Sequence, residues 1–395
     1  MKLLHTADWH LGQTFFEYDR KMEHTRFLTW LKEQVSTKEA DVLLIAGDIF
    51  DSPNPSAESQ KMYYRFLCDI TNENPDLQII IIAGNHDSAA RLESPNALLE
   101  MIRVTVRGVV KRTEEGKIDF NHLVIPLYKG GYCLAVPYLR QGDYPEAETY
   151  SQGVQKMYQT LYELTKDKRQ PLIAMGHLQA TGSEISENDR SERTVIGGLE
   201  CISPDSFAKE IAYTALGHLH RAQRVSGREN IRYAGSPLPM SFAEKNNRQG
   251  IVFVDISDSD TKIERIDFDT PVKLLSLPQK ALPLDEVLHS IAELPEGEIS
   301  ETSPYLEIKV CITEPEPSLR YQIEEALKTK AVRLARIVAV TPKGDTASKV
   351  ITYEELQTIH PMEMATDIFK RKYGGEEMPA KMKDLLQSVI NEIER

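Results

Sequence analysis

Lys2-Leu3-Leu4-His5-Thr6-Ala7-Asp8-Trp9-His10 is an apolar run that closes on a small residue and then sets an aspartate and a histidine two positions apart. The same grammar recurs along the chain. Val42-Leu43-Leu44-Ile45-Ala46-Gly47 leads into Asp48, and Ile79-Ile80-Ile81-Ile82-Ala83-Gly84 leads into Asn85 and His86. Leu172-Ile173-Ala174-Met175-Gly176 leads into His177, and Ile211-Ala212-Tyr213-Thr214-Ala215-Leu216-Gly217 into His218 and His220. Short runs rich in Ile, Val and Leu suit strands buried on both faces. Strands lying side by side bring their carboxyl ends together, and with them the Asp, Asn and His side chains. One Asp after a strand is ordinarily a turn or N-cap residue, and one His a core or surface group. Repetition of the pattern points instead to a metal site at the edge of a sheet.

The rest of the chain frames this reading. Its 395 residues suffice for two or three domains with a large core. A hydrophobic content of 41% and a charged content of 27% are those of a globular protein. No apolar run approaches the roughly 18 residues that span a bilayer, and a strand opens the sequence, so neither a membrane span nor a signal peptide is expected. Cys68, Cys133, Cys201 and Cys311 are widely separated and form no Cys-x-x-Cys pair, which predicts reduced thiols in a cytoplasmic protein. The net charge of -13 lacks the basic signature of a chain that grips nucleic acid unaided. Local patches, bound divalent cations or a basic partner would have to override it.

Residues 1–270 alternate strands and helices. Helices are predicted over 21–37, 56–71, 95–102 and 153–166, the last from Met157, Leu161 and Leu164 at helical spacing. Further strands are predicted at 122–127, 132–136, 231–234 and 250–255. This is a layered α/β domain around a central sheet core. The polar stretch 183–193 reads as a surface loop. Residues 271–345 form a smaller α/β domain in β-α-β-α-β order, with strands at 273–277, 305–312 and 336–340 and helices at 284–293 and 318–329; Pro278 and Pro283 mark its entry. Residues 346–395 are predicted as helices over 352–359 and 362–373 and from Pro379 onward. The last carries an apolar stripe of Met382, Leu385, Leu386, Val389, Ile390 and Ile393.

The chemistry of the donors sets the next expectation. Two cations about 3.5–4 Å apart need one group that touches both. A carboxylate bridges more readily than an imidazole, which makes Asp48 the bridging candidate. Asp8, His10 and His220 would complete one shell, and Asn85, His177 and His218 the other. Oxygen and nitrogen donors without thiolate favour Mn, Fe or Zn. Such a centre suits hydrolysis at phosphorus, which also needs a proton for the leaving oxygen. His86 is assigned that task and Asp51, three residues after Asp48, its support. Arg221, next to His220, is a candidate phosphate contact, with Tyr138 and Arg140 as further candidates. Arg224, Arg228 and Arg232 are equally well read as a solvated face. His5 is read as structural, and His24, His122, His289 and His360 lack ligand context.

Asp-x-His, Gly-Asp-x-x-Asp, Gly-Asn-His-Asp, Gly-His and Gly-His-x-His, in this order, resemble the calcineurin-like metallophosphoesterases. His5 to Gln13, Ala46 to Asp51, Leu216 to Gln223 and Gly235-Ser236-Pro237 resemble more closely the family of nuclease subunits of bacterial SbcCD-type exonucleases. The resemblance is detailed over residues 1 to about 250. It implies a layered β-sandwich flanked by helices, a small α/β capping domain and C-terminal helices that bind the ATPase partner. It implies two Mn2+ ions on Asp8, His10, Asp48, Asn85, His177, His218 and His220, with His86 catalytic. It also implies a 3'-5' exonuclease on double-stranded DNA and an endonuclease on single strands and hairpins, serving repair, recombination and replication. The implied partners are DNA, an SbcC-type coiled-coil ABC ATPase and a second copy of the chain in a heterotetramer. The dimer would form through helices near 56–71 and 92–102. Two other readings stay open: a phosphatase or small-nucleotide phosphodiesterase on the same fold, and a DNA-end-binding subunit with a vestigial site.

Overall fold

The computed structural model describes residues 1–166, 170–183, 201–257, 260–312 and 316–340, with isolated positions beyond. Residues Met1–Val340 form one compact unit and Thr341–Arg395 another. The predicted terminal helices and the loop at 184–193 lie outside the described residues.

Two six-stranded sheets carry the first unit. The first runs, edge to edge, through Thr261–Asp267, Gly250–Ile256, Lys2–Thr6, Val42–Ala46, Gln78–Ile82 and Val104–Arg107. Its last four strands are parallel, with Leu4 opposite Leu43 and Leu44 opposite Ile80. The second runs through Gln223–Val225, Arg228–Tyr233, Tyr213–Gly217, Leu172–His177, Tyr132–Ala135 and Val124–Pro126. Here the central four are parallel and both edge strands are antiparallel.

Alternation along each strand sorts the side chains into layers. Leu3, Val42, Leu44, Ile80 and Ile82 meet Ile173, Met175, Tyr213 and Ala215 in the core between the sheets. Their neighbours Leu4, Leu43, Ile45, Ile79 and Ile81 face outward, onto helices Lys21–Lys38 and Ala57–Glu73. On the far side, Tyr150–Glu163 packs Val154, Met157 and Leu161 over the second sheet. Thr149 caps that helix through Gln152 N–H, so it starts earlier than expected, and Leu164 falls beyond its end, 44% exposed. Ser56 caps Ala57–Glu73 in the same way through Ser59 N–H. The helix expected over 95–102 is two short pieces, Asn96–Leu99 and a 3-10 turn at Glu100–Ile102, with a separate short helix, Ala89–Glu93, ahead of them.

The smaller domain has its own core. Parallel strands Leu274–Leu282, Tyr305–Cys311 and Arg333–Val340 pair in sequential order, and helices Leu284–Ala292 and Leu319–Leu327 cover them. Val287, Ile291, Leu306, Ile308, Val310 and Ile323 are buried there. Pro278 lies within the first strand, after a cis peptide bond, rather than ahead of the domain. A second, aromatic cluster of Phe15, Phe242, Val272 and Tyr305 joins this domain to the first.

Candidate metal centre

Parallel neighbours in both sheets end at the same edge, and the two edges face each other. The loops after Thr6, Ala46 and Ile82 therefore meet the end of Leu172–His177 and the loop after Gly217. His177 Nδ1 reaches the carbonyl of Ala46 across the sheets at 2.8 Å.

These loops are not the extended strand ends the i, i+2 spacing suggests. Asp8, His10, Asp48 and His218 all adopt positive φ, at 55°, 47°, 50° and 101°. L-residues avoid this region at a cost of about 1–2 kcal/mol each. Surrounding structure imposes the conformation. Trp9 turns away from Asp8 and His10 into the helical layer, packing on Phe27 and Phe66, and Leu219, between His218 and His220, is buried in the second sheet's core. The small residues of the recurring grammar now have a reason. A Cβ on Gly47 or Gly217 would strike the His177 ring, and one on Gly84 would strike Asp48.

All seven expected ligands converge. Asp8, His10 and His220 form one cluster, Asp8, Asp48 and His177 a second, and His10, Asp48 and His86 a third; within each, one candidate ligand atom per residue lies within 4.8 Å of the others. Asp8, His10 and Asp48 each lie in two of the three, so the clusters share members and form one continuous group. Asn85 Oδ1 lies 2.9 Å from His177 Nε2 and 3.0 Å from His218 Nδ1. The His218 main-chain N–H donates to Asp8 Oδ1 at 2.9 Å. Asp8 Oδ2 and His10 Nε2 are buried without a hydrogen-bond partner. Buried polar atoms are rarely left so. With oxygen and imidazole donors crowded around them, the residues fit divalent cations.

The electrostatics report the same crowding. Burial opposes protonation of His177, but the Asp48 carboxylate, 3.3 Å away, raises its pKa to about 9. Burial and the charge of His177 push His218 down to about 3. Burial raises Asp8. Asp48 is held below the usual carboxylate range: burial works against its charge, and His177, His10 and His86 outweigh burial. Two buried carboxylates and four imidazoles thus sit close enough for each to move the others' titration, in both directions.

Two expected roles take a different form. His86 Nδ1 lies 3.0 Å from Asp51, but from its main-chain carbonyl. The Asp51 carboxylate faces His10 Nδ1 instead, at 3.4 Å. Because a carbonyl only accepts, it fixes the His86 proton on Nδ1 and leaves Nε2 for exchange. The His86 main-chain N–H donates to Asp48 Oδ1 at 2.8 Å, tying the half-buried ring to the cluster. Arg221 is exposed beside the site. Arg224 and Arg232 pair with Glu229, and Arg228 binds the Pro204 carbonyl, so these three are engaged elsewhere. The Tyr138 ring borders His177 at 6.2 Å, with Arg140 stacked over it.

Two residues escaped the sequence reading. Asp87 is buried and accepts N–H groups from Gly84, Ile49 and Phe50, stapling two ligand loops together. Burial and the neighbouring Asp48 charge raise its pKa to about 6. Its place right after Asn85-His86 was the available signal. Glu244 contacts His220 and stands 24 positions from it, with no motif around it.

Comparison with known proteins agrees with this geometry. The calcineurin-like phosphoesterase family model matches residues 1–222. A model described as the type 5 capsule protein repressor C-terminal domain matches residues 270–373. The chain is similar to the SbcD subunit of the SbcCD nuclease of Rhodobacter capsulatus, 36% identical over 87% of this chain and 88% of that one. It is 29% identical to its Escherichia coli K12 counterpart over 99% of this chain and 97% of that one. With the Bacillus subtilis counterpart it shares 31% over 65% and 66%.

Proposed function

We propose, from the premise that this chain belongs to the calcineurin-like phosphoesterases and within them to the SbcD nuclease subunits, that its convergent Asp, Asn and His cluster hydrolyses DNA phosphodiesters. It is a metal-dependent nuclease subunit of an SbcCD complex. The convergence of seven side chains from five strand ends carries this reading.

When bound, a pair of divalent cations supplies Lewis acidity, lowering the pKa of water and offsetting charge on the phosphoryl oxygens. Manganese suits the mixed oxygen and nitrogen donors. Asp48 would be the shared ligand, Asp8, His10 and His220 would hold one ion, and Asn85, His177 and His218 would hold the other. The Ala46 carbonyl accepts from His177 Nδ1, which presents Nε2 to the ligand cluster. His86, its Nδ1 proton fixed by Asp51, exchanges a proton with the leaving oxygen through Nε2. Arg221 steadies a phosphate.

No described helix is long and apolar enough to cross a membrane. A cytoplasmic location accords with four free cysteines. The partners are an SbcC-type ATPase, docked on the tail, and a second copy of the chain. In this assembly the chain works as a double-strand 3'-5' exonuclease and a single-strand and hairpin endonuclease in repair and recombination.

End-labelled linear, circular and hairpin DNA, incubated with Mn2+ with and without the ATPase, tests the reading against a chromogenic phosphomonoester. DNA should be cut and the monoester spared. Rapid monoester turnover with intact DNA would make the chain a phosphatase, and inertness toward both would make its site vestigial.

A further inference from the structure

Glu244 is 2% exposed. A carboxylate withdrawn this far from water must be partnered. Its Oε1 lies 3.2 Å from His220 Nδ1, and its Oε2 accepts the Met240 main-chain N–H at 2.9 Å. A carboxylate facing Nδ1 keeps the ring proton there and presents Nε2 to the Asp8–His10 cluster.

We infer that Glu244 is the positioning residue for the ligand His220, and that the small α/β domain holds Glu244 in place. The inference rests on the metal-centre reading and adds a residue and a domain to it. Glu244 ends the 3-10 turn Phe242–Glu244. The Phe242 ring is covered by the guanidinium of Arg336, 5.2 Å from its centroid, on the last strand of the small domain. Phe15 fills the gap, 5.4 Å from Phe242 and 4.8 Å from Tyr305. Lys245 Nζ reaches Gln279 Oε1 at 3.3 Å. A second track meets the same segment from its other end. The Tyr305 hydroxyl donates to Glu23 Oε1 at 2.9 Å, Glu23 pairs with the buried Arg20, and Arg20 Nη1 donates to the Pro239 carbonyl at 2.8 Å. Residues 239–245 are thus gripped at both ends by groups that answer to the small domain, with the His220 partner between the grips. A shift of that domain moves Phe242 and Pro239, and through Glu244 the orientation of one ligand.

Mn2+ binding to the full-length chain, followed by calorimetry and by the EPR signal of free Mn2+, tests this without recourse to activity. The wild type should take up two ions. Glu244→Ala should weaken one of them by about 10–100-fold and leave the other unchanged. Glu244→Gln, isosteric but uncharged, should weaken the same ion by a smaller factor and keeps the test open if the alanine variant fails to fold. Arg336→Ala should weaken that ion too, from the far side of Phe242. A merely structural role would lower the melting temperature of the metal-free chain without singling out one ion. Wild-type affinity for both ions in the Glu244 variants overturns the positioning role, and wild-type affinity in Arg336→Ala overturns the domain's part in it. A wild-type chain that takes up no ion overturns the metal-centre reading and this inference together.

Discussion

His86 is the residue on which chemistry and metal binding separate. Its ring is oriented by a main-chain carbonyl, so truncation removes a proton donor without stripping a carboxylate from the cluster. His86→Ala should lower DNA cleavage by about 10²–10⁴-fold while Mn2+ uptake stays at two ions; cleavage at the wild-type rate would remove His86 from the mechanism. Two histidines outside the cluster carry a pH prediction. Burial holds His5 and His24 down to about 3, with the Arg20 charge assisting at His24. Both are neutral when folded and titrate near 6.5 when unfolded. Their contribution is therefore complete above about 6.5 and is lost as pH falls toward 3, at up to ~1.4 kcal/mol per pH unit for each. Denaturant melts of metal-free wild type and His24→Gln should show the variant's slope shallower by about one proton; equal slopes would contradict the assignment. The convergence of the seven candidate ligands was legible because strand ends repeated one grammar. Which face of Asp51 would be used was not, because main chain and side chain of one residue point different ways and spacing names neither. Glu244 was invisible because nothing in the sequence tells a buried glutamate in a loop from a solvated one.

Between residues, the elements set how close the ligand loops come. Gly84 lies against Asp48 with no room for a methyl group. Gly84→Ala should destabilise the fold by about 1–3 kcal/mol in chemical denaturation and weaken Mn2+ binding; an unperturbed variant would mean that the loops are looser than their packing indicates. Strands buried on both faces were plain in the sequence, since Val42–Ala46 and Gln78–Ile82 have no polar side to confuse their reading. Thr261–Asp267 was missed for the opposite reason. It is an edge strand whose Lys262 and Glu264 meet water, and only its pairing with Gly250–Ile256 defines it. Val104–Arg107 was missed because four residues are too few to show a period. The 95–102 segment reads as one helix by composition, yet after Asn96–Leu99 it tightens into the 3-10 turn Glu100–Ile102, which stops at Arg103 in the left-handed region.

At the scale of the whole molecule, two cores meet through aromatic rings. Tyr305→Phe should keep the ring packing on Phe15 and lose the hydroxyl that Glu23 accepts, costing about 1–3 kcal/mol in stability. A change below a few tenths would show that Arg20 alone satisfies Glu23. Truncation after about residue 345 should abolish co-purification with the ATPase and leave metal content intact; retained co-purification would put the docking surface elsewhere. The strands and helices that enclose the second core were legible, because periodicity marks them along the chain. The way the small domain leans on the segment behind His220 was not, because it depends on contacts between residues far apart in sequence. The left-handed corners at Asp8, His10, Asp48 and His218 bear on protein engineering. Grafting these donors onto another scaffold by matching side chains alone would fail, since an unsupported loop would relax to ordinary torsions and swing every donor off target. Transplanting the centre means carrying Trp9, Leu219 and the neighbouring glycines along with it.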